Sequence, residues 1–210
     1  KKKEEKPETG GIKNIIFDVG QVLVDYDWET YLDSFGFEPA KRERIAKATF
    51  QSPVWDERDR GLYEEDVYLK QFQELDPEDA EDIEKVIRGT GGTIHKRPYA
   101  DTWVKYLKSK GYHVYILSNY SSYMLDHTKK ELTFRREMDG EVFSCYAKQL
   151  KPDAEIYQTI LNKYQLKPEE CVFIDDRSEN CRGAQEQGIH IICFKDFKQV
   201  TADLEKLGVK

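Results

Sequence analysis

The chain has 210 residues, a formal net charge of -7 and charged side chains at 35% of its positions. That length holds one large domain, or a core with a small insert, and an acidic balance argues against a nucleic-acid footprint, which needs a basic face. No apolar run approaches the roughly 18 residues of a membrane span, and no secretory signal is recognisable.

Residues 1 to 10, K-K-K-E-E-K-P-E-T-G, read as a mobile tail or a cloning remnant outside the fold. The stretch from Asn14 to Asp27 follows, N-I-I-F-D-V-G-Q-V-L-V-D-Y-D. A short continuous apolar run marks a strand buried in a parallel sheet. This one stops on a carboxylate, Asp18. Ligands of open α/β sheets sit beyond the carboxyl ends of such strands. Taken alone, Asp18 also reads as a solvated turn residue.

The pattern then turns helical for about seventy residues. Trp28, Tyr31, Leu32 and Phe35 recur at helical spacing. Pro39 opens a second helix, and Tyr68, Leu69, Phe72 and Leu75 mark another. Asp76-Pro77 reads as an N-cap acid with proline in the first turn, ahead of Ala80, Ile83 and Ile87. The cluster Gly89 to Gly92 lacks the spacing of a phosphate loop and reads as a hinge.

From Pro98 helix and strand alternate. Ala100, Trp103, Val104 and Leu107 form a helical face ended by Gly111. Val114 to Leu117 is a strand ending at Ser118-Asn119. Residues 122 to 134 are expected to be helical and Val142 to Tyr146 to be a strand. Ile156, Tyr157, Ile160, Leu161 and Tyr164 make a strongly periodic helix. Cys171 to Ile174 is a strand ending on Asp175-Asp176. A helix over 178 to 187 and a strand over Ile189 to Phe194 follow, with Thr201 as the cap of a terminal helix.

This order predicts an α/β fold, a doubly wound parallel five-stranded sheet of Rossmann-like type with a small all-helical cap. The core would be residues 11–27 and 98–210, and the cap residues 28–97. The cysteines, Cys145, Cys171, Cys181 and Cys193, show no C-x-x-C pairing and read as buried free thiols in a reducing, cytoplasmic compartment. The four histidines show no zinc spacing.

Chemistry gathers at the strand ends. Asp18, Ser118-Asn119, Asp175-Asp176 and Lys151, which precedes the helix after the third strand, would meet at one edge. Singly, Ser118 reads as a helix cap, Lys151 as a solvated lysine and the acid pair as a turn. Together, three carboxylates in one cleft call for a cation, and Mg²⁺ takes oxygen ligands of this kind beside a substrate phosphate. Lysine can hold phosphate as a point charge. A serine hydroxyl and a helix-start amide can bind phosphate oxygens. A carboxylate can act as nucleophile and form an aspartyl-phosphate. The set suits phosphoryl transfer.

On these residues the sequence resembles the haloacid dehalogenase (HAD) superfamily, in a branch with a helical cap after the first motif. F-D-V-G-Q-V-L-V-D resembles the first motif, I-L-S-N the second, L-K-P-D-A-E-I-Y the third and V-F-I-D-D-R-S-E-N the fourth. The similarity spans about residues 14 to 195, with the cap matched only by position and helicity. The resemblance implies that Asp18 is the nucleophile and a metal ligand. It implies that the Gly20 carbonyl and Asp176 ligate Mg²⁺, with Asp175 ligating directly or through water. Ser118 and Asn119 would bind the phosphoryl group, Lys151 would neutralise it, and Gly20 to Asp27 would form a loop-and-hairpin flap.

One departure matters. Most phosphatases of the superfamily carry a second Asp two positions after the nucleophile, as general acid and base, and here that position is Gly20. Positioned acid–base groups contribute about 10²–10⁴-fold. Some sugar-phosphate phosphatases of the superfamily have a similar Asp-x-Gly. Leaving groups that depart with little protonation are then favoured: anomeric, aryl or acyl phosphates. Asp25 or Asp27 could supply a proton, or be surface charges of the flap. Arg58, Arg60, His95, Lys96 and Arg97 are the noticeable cations of the helical region.

The expected function is a Mg²⁺-dependent phosphatase of small phosphorylated metabolites, foremost sugar phosphates, with no nucleic-acid or membrane partner and the oligomeric state open. The alternatives are a metal-independent dehalogenase, a phosphomutase, or a catalytically quiet binding or regulatory protein on the same fold.

Overall fold

The computed structural model describes residues 11–210; the expected tail over residues 1–10 lies outside them. In chain order the elements are β1 (Asn14–Phe17), β2 (Val24–Tyr26), α1 (Trp28–Asp33), α2 (Pro39–Ala48), α3 (Pro53–Arg60), α4 (Glu65–Leu75), α5 (Ala80–Arg88) and β3 (Ile94–Lys96). Then come α6 (Ala100–Ser109), β4 (His113–Ser118), α7 (Ser122–His127), β5 (Gly140–Phe143), α8 (Ser144–Ala147), α9 (Ala154–Lys163), β6 (Cys171–Asp175), α10 (Ser178–Glu186), β7 (His190–Cys193) and α11 (Phe197–Lys206).

Five strands form one parallel sheet in the order β5-β4-β1-β6-β7. The chain moves outward from β1 through β4 to β5, then returns to the other side of β1 for β6 and β7. A crevice opens at the carboxyl ends where such a winding reverses. Alternation along β1 divides the core between the two faces of the sheet. Ile15 and Phe17 pack with Trp103 and Val104 of α6 and Leu204 of α11. Ile16 faces Ile156, Tyr157 and Ile160 of α9 and Ala184 of α10. Apolar runs buried on both sides are what a central parallel strand requires.

Helices α1 to α5 gather a hydrophobic cluster of their own, including Leu32, Ile45, Phe72, Ile83 and Ile87. They leave the sheet and return to it through a two-stranded antiparallel ribbon in which Val24 faces Lys96 and Tyr26 faces Ile94. The flap strand therefore pairs with the end of the helical region and not within a hairpin of its own. Gly89 joins α5 to a 3₁₀ turn over Thr90–Thr93 that holds Gly91 and Gly92 and whose Thr90 and Thr93 are buried.

Several expected boundaries shift. The third sheet strand is Gly140–Phe143, because Ser144 begins α8. The helix expected over 122 to 134 ends at His127 and gives way to 3₁₀ turns over Lys129–Glu131 and Thr133–Glu137. Thr201 lies inside α11, which is capped by Asp196 in a reciprocal capping box with Gln199. Asp76 makes no side-chain cap bond, and Pro77 opens a 3₁₀ turn that runs into α5.

Close approach of α10 to the turn behind Lys151 depends on a glycine. A Cβ on Gly183 would stand 2.6 Å from the Pro152 carbonyl oxygen and 2.9 Å from the Tyr157 ring. Gly183→Ala should therefore lower stability by about 1–3 kcal/mol, the range for overpacking. Urea unfolding measures this, and an unchanged midpoint would refute the packing argument.

Candidate active site

The strand order puts the predicted residues next to one another. Asp18 follows β1, Ser118 ends β4 and Asp175 ends β6, and β1 lies between the other two strands. Asp18 continues the pairing by donating its main-chain N–H to the Ile174 carbonyl at 2.9 Å. Lys151 reaches this edge from the turn between α8 and α9.

Lys151 is the hub, and it is 4% exposed. Its ammonium lies 2.8 Å from Asp175 Oδ2 and 3.0 Å from Asp18 Oδ1, and it donates to the Leu117 carbonyl at 3.0 Å. These three partners use the three donors of a lysine. Burial acts to lower the Lys151 pKa, but the charges of Asp175 and Asp18 outweigh it and hold the value raised. Asn119 fixes the lysine in place. Its side chain donates to the Lys151 carbonyl at 3.1 Å and accepts from the Lys151 N–H at 2.9 Å.

Asp175 is committed as well. It accepts from Lys151, from the Arg177 N–H at 2.9 Å and from Asn180 Nδ2 at 3.2 and 3.3 Å. Burial pushes its pKa up, but the Lys151 charge wins and holds it below the ordinary value. Burial and then the charge of Asp175 push the Asp18 pKa well above the ordinary carboxylate value, against the pull of Lys151. The same two causes raise Asp176. One ligand oxygen from each of Asp18, Asp175 and Asp176 lies within 4.8 Å of the others. Three carboxylate oxygens this close could hold a hard cation, which takes oxygen ligands of this kind. Ser118 Oγ is buried and has no hydrogen-bond partner among the described residues. A substrate oxygen would satisfy it.

The main chain at Gly20 bridges to Val24. A Cβ there would meet nothing within 4 Å, so lack of space does not keep an acid out. Neither flap acid replaces one. Asp25 pairs with Arg97 Nε at 2.9 Å, and Asp27 caps α1 by accepting from the Thr30 N–H at 3.1 Å. Both are absent from the cavity wall.

That cavity, about 620 Å³, lies over the strand ends. Its floor includes Asp18, Gly20, Lys151 and Asp176. Its other wall is aromatic and acidic: Tyr26, Trp28, Phe50, Trp55, Asp56 and Asp59. The rings pack on one another, with Trp28 and Phe50 centroids 5.2 Å apart and Phe50 and Trp55 4.9 Å apart. None of the five cations noted in the helical region lines it. Arg58 is buried against Glu65 at 2.6 Å, Arg60 pairs with Glu57, and Lys96 with Asp101. Sequence reasoning missed Asn180 and Asp59. Burial pushes the Asp59 carboxyl up to about 7, although Arg58 opposes the shift.

The four cysteines are free, three of them buried. No helix among the described residues is long and apolar enough to cross a membrane.

Comparison with known proteins agrees with this geometry. Residues 12–188 match the family model of haloacid dehalogenase-like hydrolases. The chain is 27% identical over 188 residues to D-ribitol-5-phosphate phosphatase of Bacteroides thetaiotaomicron, covering 84% of this chain and 89% of that one. It is 25% identical over 195 residues to flavin mononucleotide hydrolase 1 of Arabidopsis thaliana, covering 93% of this chain and 77% of the relative. A HAD family enzyme from Bacteroides thetaiotaomicron, crystallised with magnesium and inorganic phosphate, superposes with a TM-score of 0.71 at 22% identity, over 90% of this chain and 99% of the other.

Proposed function

The chain belongs to the haloacid dehalogenase-like hydrolases, and from that premise we propose that it is a Mg²⁺-dependent phosphatase of small phosphorylated metabolites, working through an aspartyl-phosphate on Asp18. The observation that carries this reading is the convergence of Asp18, Asp175 and Asp176 within 4.8 Å around the buried Lys151. We take residues 28–97 as the cap and residues 11–27 and 98–210 as the core.

Asp18, Asp176 and the Gly20 carbonyl would hold the Mg²⁺. Asp175 would reach it through water, since Lys151, Arg177 and Asn180 already engage its oxygens. Bound there, the ion supplies charge that steadies the phosphoryl oxygens and the acids together. A free oxygen of Asp18 attacks phosphorus, forming a new P–O bond as the bond to the leaving oxygen breaks. The leaving oxygen departs with the electron pair. Lys151 offsets the phosphoryl charge, and the unpartnered Ser118 hydroxyl donates to a phosphoryl oxygen. Asn119 lines the cavity, and its side chain serves the site by holding the Lys151 turn. Water then cleaves the aspartyl-phosphate, releasing inorganic phosphate and restoring the carboxylate.

The wall limits the substrate. Aromatic rings and the carboxylates of Asp56 and Asp59 line the cap side, with no cap cation among the lining residues. A second phosphate or a carboxylate would find no counter-charge on that side; Arg177 lines the cavity from the core side, where it pairs with Glu179 at 3.0 Å. The site suits one phosphate on an uncharged body, and sugar phosphates qualify because an aromatic wall packs against the C–H faces of a sugar. The two relatives, named for D-ribitol 5-phosphate and flavin mononucleotide, support a monoester substrate. Gly20 offers no proton, so the core residues alone favour leaving groups that depart unprotonated.

Phosphate release from a panel of sugar, alkyl and aryl phosphates tests the reading. Turnover should require Mg²⁺ and fall at least ~100-fold on chelation, as the loss of a few kcal/mol of charge stabilisation implies. Absence of turnover on every ester would defeat it. Activity that survives EDTA and displaces halide would instead favour the dehalogenase alternative.

A further inference from the structure

Two acids of α3, Asp56 and Asp59, face the cavity from the cap side. Asp56 is exposed, whereas Asp59 is half-buried. The backbone at Asp59 is fastened to the core. Ser144 Oγ donates to the Asp59 carbonyl at 2.6 Å and accepts from the Tyr120 N–H at 2.9 Å. Tyr120 stands two residues beyond Ser118, so this link ties the end of α3 to the phosphate-binding strand end. Lys148 donates to the Gly61 carbonyl. Gly61 holds a left-handed turn, φ 70°, and a Cβ there would come within 2.7 Å of the Cys145 carbonyl oxygen. On the other side of Asp59, the Arg58 guanidinium is sandwiched between Trp55 and Tyr123, 5.0 and 5.3 Å from the ring centroids. Arg58 and Gly61 are therefore held on either side of residue 59, which lines the cavity whose floor carries Asp18 and Lys151.

We propose that Asp59 is the general acid and base of this site, a catalytic residue contributed by the cap that takes the place of the acid missing at Gly20. The proposal rests on the phosphatase reading. As the phosphorus–oxygen bond of the ester breaks, Asp59 gives its proton to the leaving oxygen, which departs as the alcohol. The Asp59 carboxylate then takes a proton from the water that attacks the aspartyl-phosphate, and both acids return to their starting states.

The surroundings of Asp59 suit the task. Burial disfavours its charged form, and the neighbouring Asp56 adds to the shift. Arg58 opposes it most strongly, followed by Lys151 and Arg177 from the core. Tyr26, Tyr120 and Cys145 also face it, and each is itself pushed up by burial, so each stays neutral. The balance leaves Asp59 titrating at about 7, where a group can both give and accept a proton. The restriction to good leaving groups that Gly20 would impose is then lifted, and alkyl phosphates of sugars and polyols become substrates.

The test compares 4-nitrophenyl phosphate, whose leaving group needs little protonation, with glycerol phosphate, whose leaving group needs it fully. In Asp59→Asn, kcat/KM, which reports the steps up to the aspartyl-phosphate and not its shared hydrolysis, should fall by about 10²–10⁴-fold for glycerol phosphate and at least ten-fold less for the aryl ester. The wild-type kcat for glycerol phosphate should decline as pH rises through the Asp59 pKa, because the donor must be protonated. That alkaline limb should vanish in the variant. Equal losses of kcat/KM on both esters, a change confined to KM, or an alkaline limb that persists would overturn the proposal. Should Asp59→Asn fold poorly, the wild-type enzyme decides alone. A kcat that depends steeply on leaving-group pKa at pH 6, or that has no alkaline limb with glycerol phosphate, would overturn it. Wild-type protein that hydrolyses no ester would sink the phosphatase reading itself, whereas active protein failing these comparisons sinks Asp59 only.

Discussion

Asp18→Asn should lose roughly 10⁴- to 10⁶-fold of its phosphate release, the range seen when a nucleophile or its essential partner is removed, and should melt no lower than the parent. The first half follows from chemistry: the amide is close in shape to the carboxylate, but it is neither an anion nor a competent nucleophile. The second half follows from burial. Asp18 is only 8% exposed, and burial, then the charge of Asp175, raises its pKa well above the ordinary value. A carboxyl raised in this way is less comfortable ionised in the fold than in the unfolded chain. Its contribution to stability is greatest below its unfolded pKa and declines as pH rises through the folded one. At neutral pH without Mg²⁺ its charge is therefore a burden, and asparagine removes it. Lys151 keeps Asp175 and the Leu117 carbonyl as partners. Thermal melts in EDTA at pH 7.5, run beside the activity assay, separate the two effects. Mg²⁺ should raise the melting temperature of the parent more than that of the variant, since a ligand stabilises the state that binds it. Turnover that persists in Asp18→Asn removes it as nucleophile; a variant melting far below the parent would mean that the burial argument has the wrong sign.

What the sequence disclosed follows from what a parallel sheet demands. Strands buried on both faces must be continuous apolar runs, so a run that stops on Asp18, on Ser118 or on Asp175 announces a strand end. The five strands and their order of helices were legible for that reason. Boundaries were less so where two elements abut without a break. Val142 and Phe143 belong to β5 and Cys145 and Tyr146 to α8, yet the apolar pattern runs through both. The cap of α11 was written in Asp196 and Gln199, three residues apart, and Thr201 drew attention away from that box. Functions that depend on tertiary contact left no local trace. Asn119 sits where a phosphate ligand would, but both polar atoms of its side chain hold the Lys151 main chain. Asn180 anchors Asp175 from α10. Asp59 lies in W-D-E-R-D-R-G, a run of charges that reads as a solvated helix face. Its place at the cavity shows only in the fold, where Ser144 holds the Asp59 main-chain carbonyl and the residue lines the wall.

Replacing Lys151 by methionine should destabilise the fold by about 3–5 kcal/mol, the range for breaking a buried ion pair by removing one partner, and the defect should depend on pH. The Lys151 pKa is raised because the charges of Asp175 and Asp18 outweigh the effect of burial. A lysine raised in this way gives its full stabilisation below its unfolded pKa, about 10.4, and loses it only as pH rises through the folded value. At neutral pH the parent therefore has all of it. The same ammonium holds Asp175 below its ordinary pKa against the effect of burial. In the parent, the Asp175 contribution is present above about 3.9 and is lost as pH falls through the folded value. Methionine reverses that sign. Asp18 and Asp175 become buried carboxylates without the counter-charge, their pKa values rise, and protonation relieves the strain between them. The deficit in urea unfolding, measured in EDTA, should be largest near pH 8 and shrink toward pH 5. A second substitution, Asp18→Asn, should recover part of it at pH 8, because one of the two stranded charges is gone. Saturating Mg²⁺ should also recover part, by about 2.7 kcal/mol when the free ion is a hundred times its Kd, since the ion then takes over the balancing that the lysine performed. A deficit equal at both pH values would mean that Lys151 stabilises the fold through packing of its stem. The acids at the strand ends would then be held apart by something other than its charge.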